Sequence, residues 1–297
     1  MKSILVTGSN GFLGQQVVKE LLNEGYIVTG ISIDKVGKFQ HKNYKYISAD
    51  LTRSKEVERI FRDNEFSHVI HLAAIAHVFK GKKISWSRYY RINTIMSRQI
   101  FECASKYKIP IFFASTVDVY GIQTGEIDEN TKPNPIGSYA KSKVLAEKAL
   151  IEIADQPYLI ARFAPIYTES NKKDIYKRYY IQYPRLAYLI NKDIEYEFLS
   201  SDTAVSVIMQ WVKRYDSLYG IINIVDKQSY NTKKLLEKDI HSGINPIVLR
   251  IPNILYNLMI LSVNMIFYKL PFYKFSAYKI LKPMKFDKKK MLKNFKL

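Results

Sequence analysis

Cysteine is nearly absent from this chain. The one thiol, Cys103, falls inside a helical pattern (SRQIFECASKY), which excludes a disulfide framework and a thiolate metal site. A reducing, cytoplasmic compartment is the expectation. Metal spacing is missing too: His71 and His77 have no acid or cysteine at the distances a metal site needs, so both read as structural and no metal is expected. There is no internal repeat, low-complexity tract or flexible linker. The start lacks the charged, apolar and small-residue succession of a secretory signal, because its apolar run passes straight into a glycine turn. Acids are scarce at the other end, where Lys274 to Lys296 holds nine lysines against one acid, Asp287.

With 297 residues, 47% of them hydrophobic, the chain can bury a full core, as one large α/β domain or one with an appended lobe. A formal charge of +19 favours anionic partners: nucleotides, acidic membrane surfaces or nucleic acid. No RNA- or DNA-binding motif accompanies the lysines, so a solvated basic face is preferred to nucleic-acid binding.

The stretch that organises the rest is Ser3 to Leu22, SILVTGSNGFLGQQVVKELL. Ile4 to Thr7 reads as a buried strand. Gly8, Gly11 and Gly14 then open an amphipathic helix with apolar Leu13, Val17, Leu21 and Leu22. In that order the glycines allow a tight turn, close approach to a pyrophosphate, and close packing of helix on strand. The helix start offers free N–H groups and a positive dipole end to a diphosphate. A glycine triplet alone is weak, but the strand before it and the helix after it favour dinucleotide binding.

A second strand over Tyr26 to Ile33 ends at Ser32, Ile33, Asp34 and Lys35. An acid here, ~20 residues past the glycines, would hydrogen-bond the adenosine ribose of NAD. Ser32 stands at that position and Asp34 two further on, on the same side of an extended chain. Asp34 argues for NAD, whereas Ser32 with Lys35 suits the extra phosphate of NADP; NAD is preferred. Tyr44 to Ser48 reads as a third strand, followed by Asp50 and Leu51. Asp50 is either a helix cap or the partner of the adenine amine, with Leu51 on the ring. His68 to Leu72 makes a fourth strand, leading into Ala73, Ala74 and Ile75, where small residues leave room for a cofactor. A long helical pattern over Trp86 to Tyr107 carries Asn93 and precedes a fifth strand, Ile109 to Ala114. Five strands mostly separated by helices imply parallel crossovers and a doubly wound α/β sheet.

Chemistry concentrates between Ser115 and Lys143. Ser115 and Thr116 end the fifth strand, at the carboxyl edge of the sheet. Tyr139 and Lys143 lie at i and i+4 on the next helix, hence on one face. A phenol with a free pKa of about 10 is a poor base at neutral pH. An ammonium beside it, helped by an oxidised nicotinamide, is expected to bring that pKa down. Tyr139 would then exchange a proton with a substrate hydroxyl whose oxygen Thr116 holds. A Tyr-x-x-x-Lys pair is common and usually inert; its value here lies in its position after the hydroxyl pair.

The chain resembles the extended short-chain dehydrogenase/reductase family, in particular its nucleotide-sugar epimerases, dehydratases and 4-keto reductases. The resemblance rests on TGSNGFLG (Thr7 to Gly14), ADL (Ala49 to Leu51), HLAA (His71 to Ala74), Asn93 in YYRIN, STVDVYG (Ser115 to Gly121), SYAKSK (Ser138 to Lys143) and RFAPIY (Arg162 to Tyr167). SDTA (Ser201 to Ala204) and NIVD (Asn223 to Asp226) are weaker landmarks. The resemblance implies a Rossmann sheet over residues 1–165, with strands from about 196–226 returning to it. A smaller α+β substrate lobe would take 166–297, mainly 166–195 and 227–297. It implies NAD or NADP, a triad of Thr116, Tyr139 and Lys143, and a homodimer built from the Asn93 and Tyr139 helices. Cofactor contacts would come from Gly8, Asn10, Gly11, Phe12, Leu13, Gly14, Ser32, Asp34, Asp50 and Leu51. Leu72, Ala73, Ala74, Asn93, Ser115, Phe163 and Pro165 would add to them, with Tyr139 and Lys143. Ile75, Thr116, Asp118, Tyr139 and Arg185 would face the nucleotide-diphosphate sugar.

Departures narrow the subclass. Dehydratases of the family carry an Asp and a Glu after the triad threonine; here Val117 and Asp118 stand there, which places dehydration below the other outcomes. Asp118 is either a base near the sugar or, preferably, a turn cap. Thr168 replaces a usual glycine. The strand before Asp202 lacks the usual diphosphate-binding arginine, for which Lys172, Lys173, Lys177, Arg178 or Arg185 would substitute. PNILYNLMILSVNMIFYKL (Pro252 to Leu270) reads as a helix closing the substrate lobe; its prolines and polar interruptions disfavour a bilayer span. Surface membrane contact is the minority reading. The leading expectation is hydride transfer at carbon 4 of a nucleotide-diphosphate sugar, by a 4-epimerase or a 4-keto-6-deoxysugar reductase of bacterial polysaccharide synthesis. The alternatives are a dehydratase, a 3β-hydroxysteroid-type dehydrogenase, and a non-catalytic dinucleotide-binding protein.

Overall fold

A computed structural model of the chain describes residues 2–76, 84–190 and 194–297. His77 lies outside them.

Among the described residues the largest element is a seven-stranded, wholly parallel sheet. Its strands are β1 (Ser3–Thr7), β2 (Ile27–Ser32), β3 (Tyr44–Ser48), β4 (His68–His71), β5 (Ile111–Thr116), β7 (Tyr158–Phe163) and β13 (Gly220–Ile224). They lie in the order β13-β7-β5-β4-β1-β2-β3. The order reverses at β1 and β4, so a crevice opens between their carboxyl ends, where ligands bind in such sheets.

Alternation of side chains along the strands divides the core in two. Ile4 and Val6, Phe112, Leu159 and Ala161 face a layer that includes α1 (Phe12–Asn23) and α7 (Ser201–Arg214), where Leu21 and Trp211 are fully buried. Leu5, Ile111, Phe113 and Ile160 face α2 (Ser54–Arg62), α4 (Met96–Lys106) and α5 (Ser138–Ile153), which contribute Ile60, Phe101 and Leu150. Both faces of the central strands are therefore apolar, as a doubly wound sheet requires.

Two boundaries differ from the sequence reading. The fifth strand starts at Ile111 and not at Ile109, and ends on Ser115 and Thr116. The expected helix over Trp86 to Tyr107 is three pieces: α3 (Trp86–Tyr89), a π-helical stretch (Tyr90–Ile95) and α4. The wide turn falls at Asn93, whose amide is drawn away from the helix toward Ile75.

Beyond β7 the chain builds a smaller assembly with its own core, centred on Tyr179, Ala187, Phe198 and Leu236. It contains a three-stranded sheet of β9 (Tyr180–Gln182), β10 (Leu186–Ile190) and β15 (Ile247–Ile251), with the short α6 (Lys173–Tyr176) before it. The two-residue pairs β8 (Ile166–Tyr167) with β12 (Leu199–Ser200), and β11 (Glu195–Tyr196) with β14 (Tyr230–Asn231), tie its segments together. α8 (Thr232–His241), α9 (Asn253–Ile266) and α10 (Pro271–Leu281) follow. The chain then returns to the large sheet: β16 (Lys285–Phe286) pairs with β6 (Glu126–Ile127), and α11 (Lys289–Asn294) packs beside β13.

Candidate active site

The glycine turn is built by close approach. Gly8 has φ +70, a left-handed conformation that favours glycine, and its N–H donates to Ile31 O at 2.8 Å, joining the turn to β2. A Cβ on Gly14 would lie 2.1 Å from Gly8 O, so helix and turn meet only because that position is bare. Among the described residues no side chain caps the start of α1, which leaves its first turn open to an anion.

From this turn a groove of ≈ 920 Å³ crosses the ends of β1, β2 and β4. Gly8, Asn10 and Gly11 line its floor, and Ser32 and Asp34 one end. Asp50 and Leu51 form one wall; Leu72, Ala73, Ala74 and Ile75 form the other. Asn10 Nδ2 and Ser32 Oγ both donate to Asp34 Oδ2, at 3.0 and 2.9 Å, and hold its carboxyl below the usual carboxylate range. Asp50 does not cap α2, which starts after Arg53 with no side-chain cap among the described residues. Its Oδ1 accepts from the backbone and hydroxyl of Thr52 ahead of α2, while the residue still lines the groove. Phe12 is half exposed on the first turn of α1, and Leu13 packs partly into the core.

Several expected contacts are displaced. Asn93 does not reach the groove: it is fully buried, bonding Ile75 through N–H and C=O, each at 2.9 Å, and donating to Ser142 Oγ at 3.0 Å. It braces the groove wall against α5. Ser115 turns its hydroxyl inward to Glu147. Phe163 is buried against Phe112 in the core. Pro165 lines a small cavity with Val117, Asp118, Arg178 and Lys279. Arg185 is exposed and not among the residues of that cavity, whose arginine is Arg178 instead. His71 is structural, since its ring nitrogens meet the hydroxyls of Thr7 (2.7 Å) and Ser97 (2.8 Å); burial pushes its pKa down to about 3.

Thr116, Tyr139 and Lys143 come together where β5 meets α5. The Thr116 hydroxyl stands near enough to the Tyr139 phenol to lower its pKa, and accepts from Asp118 N at 3.2 Å. Lys143, on the same helix face, is 2% exposed; its Nζ donates to Ala114 O at 2.6 Å and lies 4.0 Å from the Phe113 ring centre. Burial pushes its pKa down to about 7, opposed by the Glu147 carboxylate. Without a nicotinamide ring beside it, Lys143 is not among the groups that shift the Tyr139 pKa. Burial and then the Asp118 charge push that phenol above its ordinary value, with the neighbouring Thr116 hydroxyl opposing them. The reason is the dry setting, which disfavours phenolate and drives the ammonium toward neutrality as well.

Two features were not anticipated from the sequence. Glu147, one turn beyond Lys143, takes Arg162 in a bidentate pair (3.1 and 2.7 Å), and Arg162 also donates to Tyr120 Oη at 2.8 Å. The available signal was an acid at i+8 from Tyr139, on the buried face of the helix. Asp118, expected as a turn cap or a base, is instead paired with Lys279 of α10 at 2.7 Å.

Comparison with known proteins places this architecture. The model of the NAD dependent epimerase/dehydratase family matches residues 4–203, from β1 into the first turn of α7. The chain belongs to that family. UDP-glucose 4-epimerase of Caenorhabditis elegans is 30% identical over 172 residues, covering 50% of this chain and 49% of that protein. The chain spans about half the length of the curated relatives it matches. The Bordetella bronchiseptica enzyme WbmG in complex with NAD has the same fold, with a TM-score of 0.69 at 21% identity over 83% of this chain and 80% of that one. So has UDP-glucuronic acid 4-epimerase of Bacillus cereus in complex with NAD, with a TM-score of 0.66 at 21% identity over 84% and 89%.

As a family member, the chain has a groove whose dimensions and chemistry fit a dinucleotide. The bare glycine turn meets the uncapped start of α1, and the anchored Asp34 carboxylate stands at the end of β2. Thr116, Tyr139 and Lys143 lie on neighbouring elements, β5 and α5.

Proposed function

We propose that the protein is an NAD-dependent epimerase acting at carbon 4 of a nucleotide-diphosphate sugar. The observation that carries this reading is the placing of the Thr116 hydroxyl beside the Tyr139 phenol, one helical turn from a buried Lys143. Gly8, Gly11 and the start of α1 would hold the NAD diphosphate, and Asp34 the adenosine ribose. Bound NAD would supply a reversible acceptor for the hydrogen on carbon 4.

Tyr139, held protonated in the apo site, would exchange its proton with the sugar hydroxyl at that carbon. Thr116 would keep the reacting oxygen beside the phenol, and Lys143 would provide the positive charge that limits the cost of phenolate. Asp118 is tied to Lys279, and Val117 stands where a dehydratase needs an acid, so loss of water is disfavoured. The guanidinium of Arg178 packs on Tyr196 and Phe198, at 5.5 and 5.8 Å, and among the described residues its Nε has no hydrogen-bond partner. It is the group offered to the substrate diphosphate, with Lys279 and Lys282 beside it. A homodimer through α4 and α5 belongs to the same reading, and would cover the exposed Leu145 and Ile151 of α5.

The test is proton NMR of purified protein with UDP-glucose or UDP-N-acetylglucosamine and no added cofactor. Appearance of the carbon-4 epimer, with NAD released on denaturation, is the expected result. A protein that takes up NADPH and turns over only a 4-keto sugar is a reductase, and the epimerase reading then fails.

A further inference from the structure

The last long helices present a surface unlike the rest of the molecule. α9 (NILYNLMILSVNMI) contains no charged residue, and only Tyr256 is buried, with Ile260 and Val263 packed partly against the smaller core. Its remaining face is apolar and in water: Ile254 is 77% exposed, Met265 71% and Ile266 68%, with Leu255, Leu258 and Leu261 about half exposed. The patch continues through the turn to α10, where Tyr268, Phe272 and Tyr273 are exposed. An ordinary surface helix carries charge on its outer face, and a contiguous apolar patch of this kind marks an interaction site.

Its surroundings say what covers it. From Ile240 to Phe286 the chain has no Asp or Glu; Lys269 and Lys274 stand at the exposed turn, while Lys279 and Lys282 line the cavity of Arg178. An apolar face with aromatic residues at its end and cations flanking it matches the boundary of a negatively charged bilayer. A second copy of the chain would bring the same cations together with no acid from this segment to offset them. Fourteen residues of helix span roughly 21 Å, short of the ~30 Å hydrocarbon core. Among the described residues no helix is long and apolar enough to cross a membrane.

We infer that the outer face of α9 and the α9–α10 turn dock this protein on an anionic lipid surface, with the helix lying in the interface. The contact reaches the active site through α10. Phe272 lies against Gly137, where a Cβ would come 3.2 Å from its ring, and Lys279 pairs with Asp118. The docked protein therefore holds its catalytic cleft close to the bilayer.

Flotation with vesicles of phosphatidylcholine, alone and mixed with phosphatidylglycerol, tests this without any activity measurement. The wild-type chain is expected to float with the anionic vesicles, and less so at high salt. Leu258→Glu with Met265→Glu should lower the bound fraction roughly tenfold or more, with an unchanged melting temperature because both side chains already face water. Three results would overturn the inference: no flotation with either vesicle, equal flotation of the variant, or a wild-type dimer in sedimentation that the double variant dissociates.

Discussion

Glu147 and Arg162 form a bidentate ion pair whose side chains are each 3% exposed, directly beneath Lys143. Tyr139, Lys143 and Glu147 follow one another at four-residue steps on one face of α5, so the proposed catalytic groups and the buried acid share a single stripe. The pair fixes the lower end of that stripe to β7. It also sets a negative charge beside Lys143, which keeps its pKa from falling further. Removing one partner strands a buried charge. Glu147→Ala is expected to lower stability by ~3–5 kcal/mol in urea unfolding, and adding Arg162→Met should recover much of it.

Tyr139→Phe removes the proposed proton carrier and leaves the groove intact. Turnover should fall by ~10²–10⁴-fold, while NAD affinity measured by titration stays at the wild-type value. Unchanged turnover would remove Tyr139 from the chemistry.

Lys143 links stability to pH. Its folded pKa of about 7 lies below the ordinary 10.5, so between those values the unfolded chain binds more protons. Its burial therefore disfavours folding fully below pH 7, and the penalty fades as pH rises toward 10.5. Lys143→Met should stabilise the protein most below pH 7 and progressively less above it, in melts taken across that range.

The buried histidines act at lower pH. Burial pushes His71 down to about 3, and burial with the nearby Lys2 pushes His68 down to about 4. Both are neutral when folded and protonate more readily when unfolded, so stability is full above about 6.5 and is lost as pH falls through the folded values. The slope of melting temperature against pH between 6 and 4 (roughly the upper part of that window) should be shallower in His68→Gln with His71→Gln. An unchanged slope would assign acid sensitivity to other groups.

Asp34 bears on the choice of dinucleotide. Its carboxylate is kept anionic by Asn10 and Ser32 at the end of β2, where a 2′-phosphate would meet like charge. Asp34→Asn should narrow the preference for NAD over NADP roughly five- to tenfold, read as the ratio of the two dissociation constants.

The order of strand, glycine turn and helix, the doubly wound sheet, and the spacing of Thr116, Tyr139 and Lys143 were determined by sequence alone. Each is a local matter: the two-residue period of a strand, the bare Cα of Gly14 and the four-residue step of a helix act over a few residues. Tertiary structure decided what the side chains do once buried. Asn93 and Ser115 have the composition of ligand contacts, yet packing spends their polar groups on Ile75, Ser142 and Glu147. Asp118 meets a lysine 161 residues away, and Arg178 replaces Arg185 at the cavity because the fold of the smaller core brings it there. Even the charge states of Tyr139 and Lys143 depend on loss of water, a property of the assembled core that neighbouring residues in the chain do not encode.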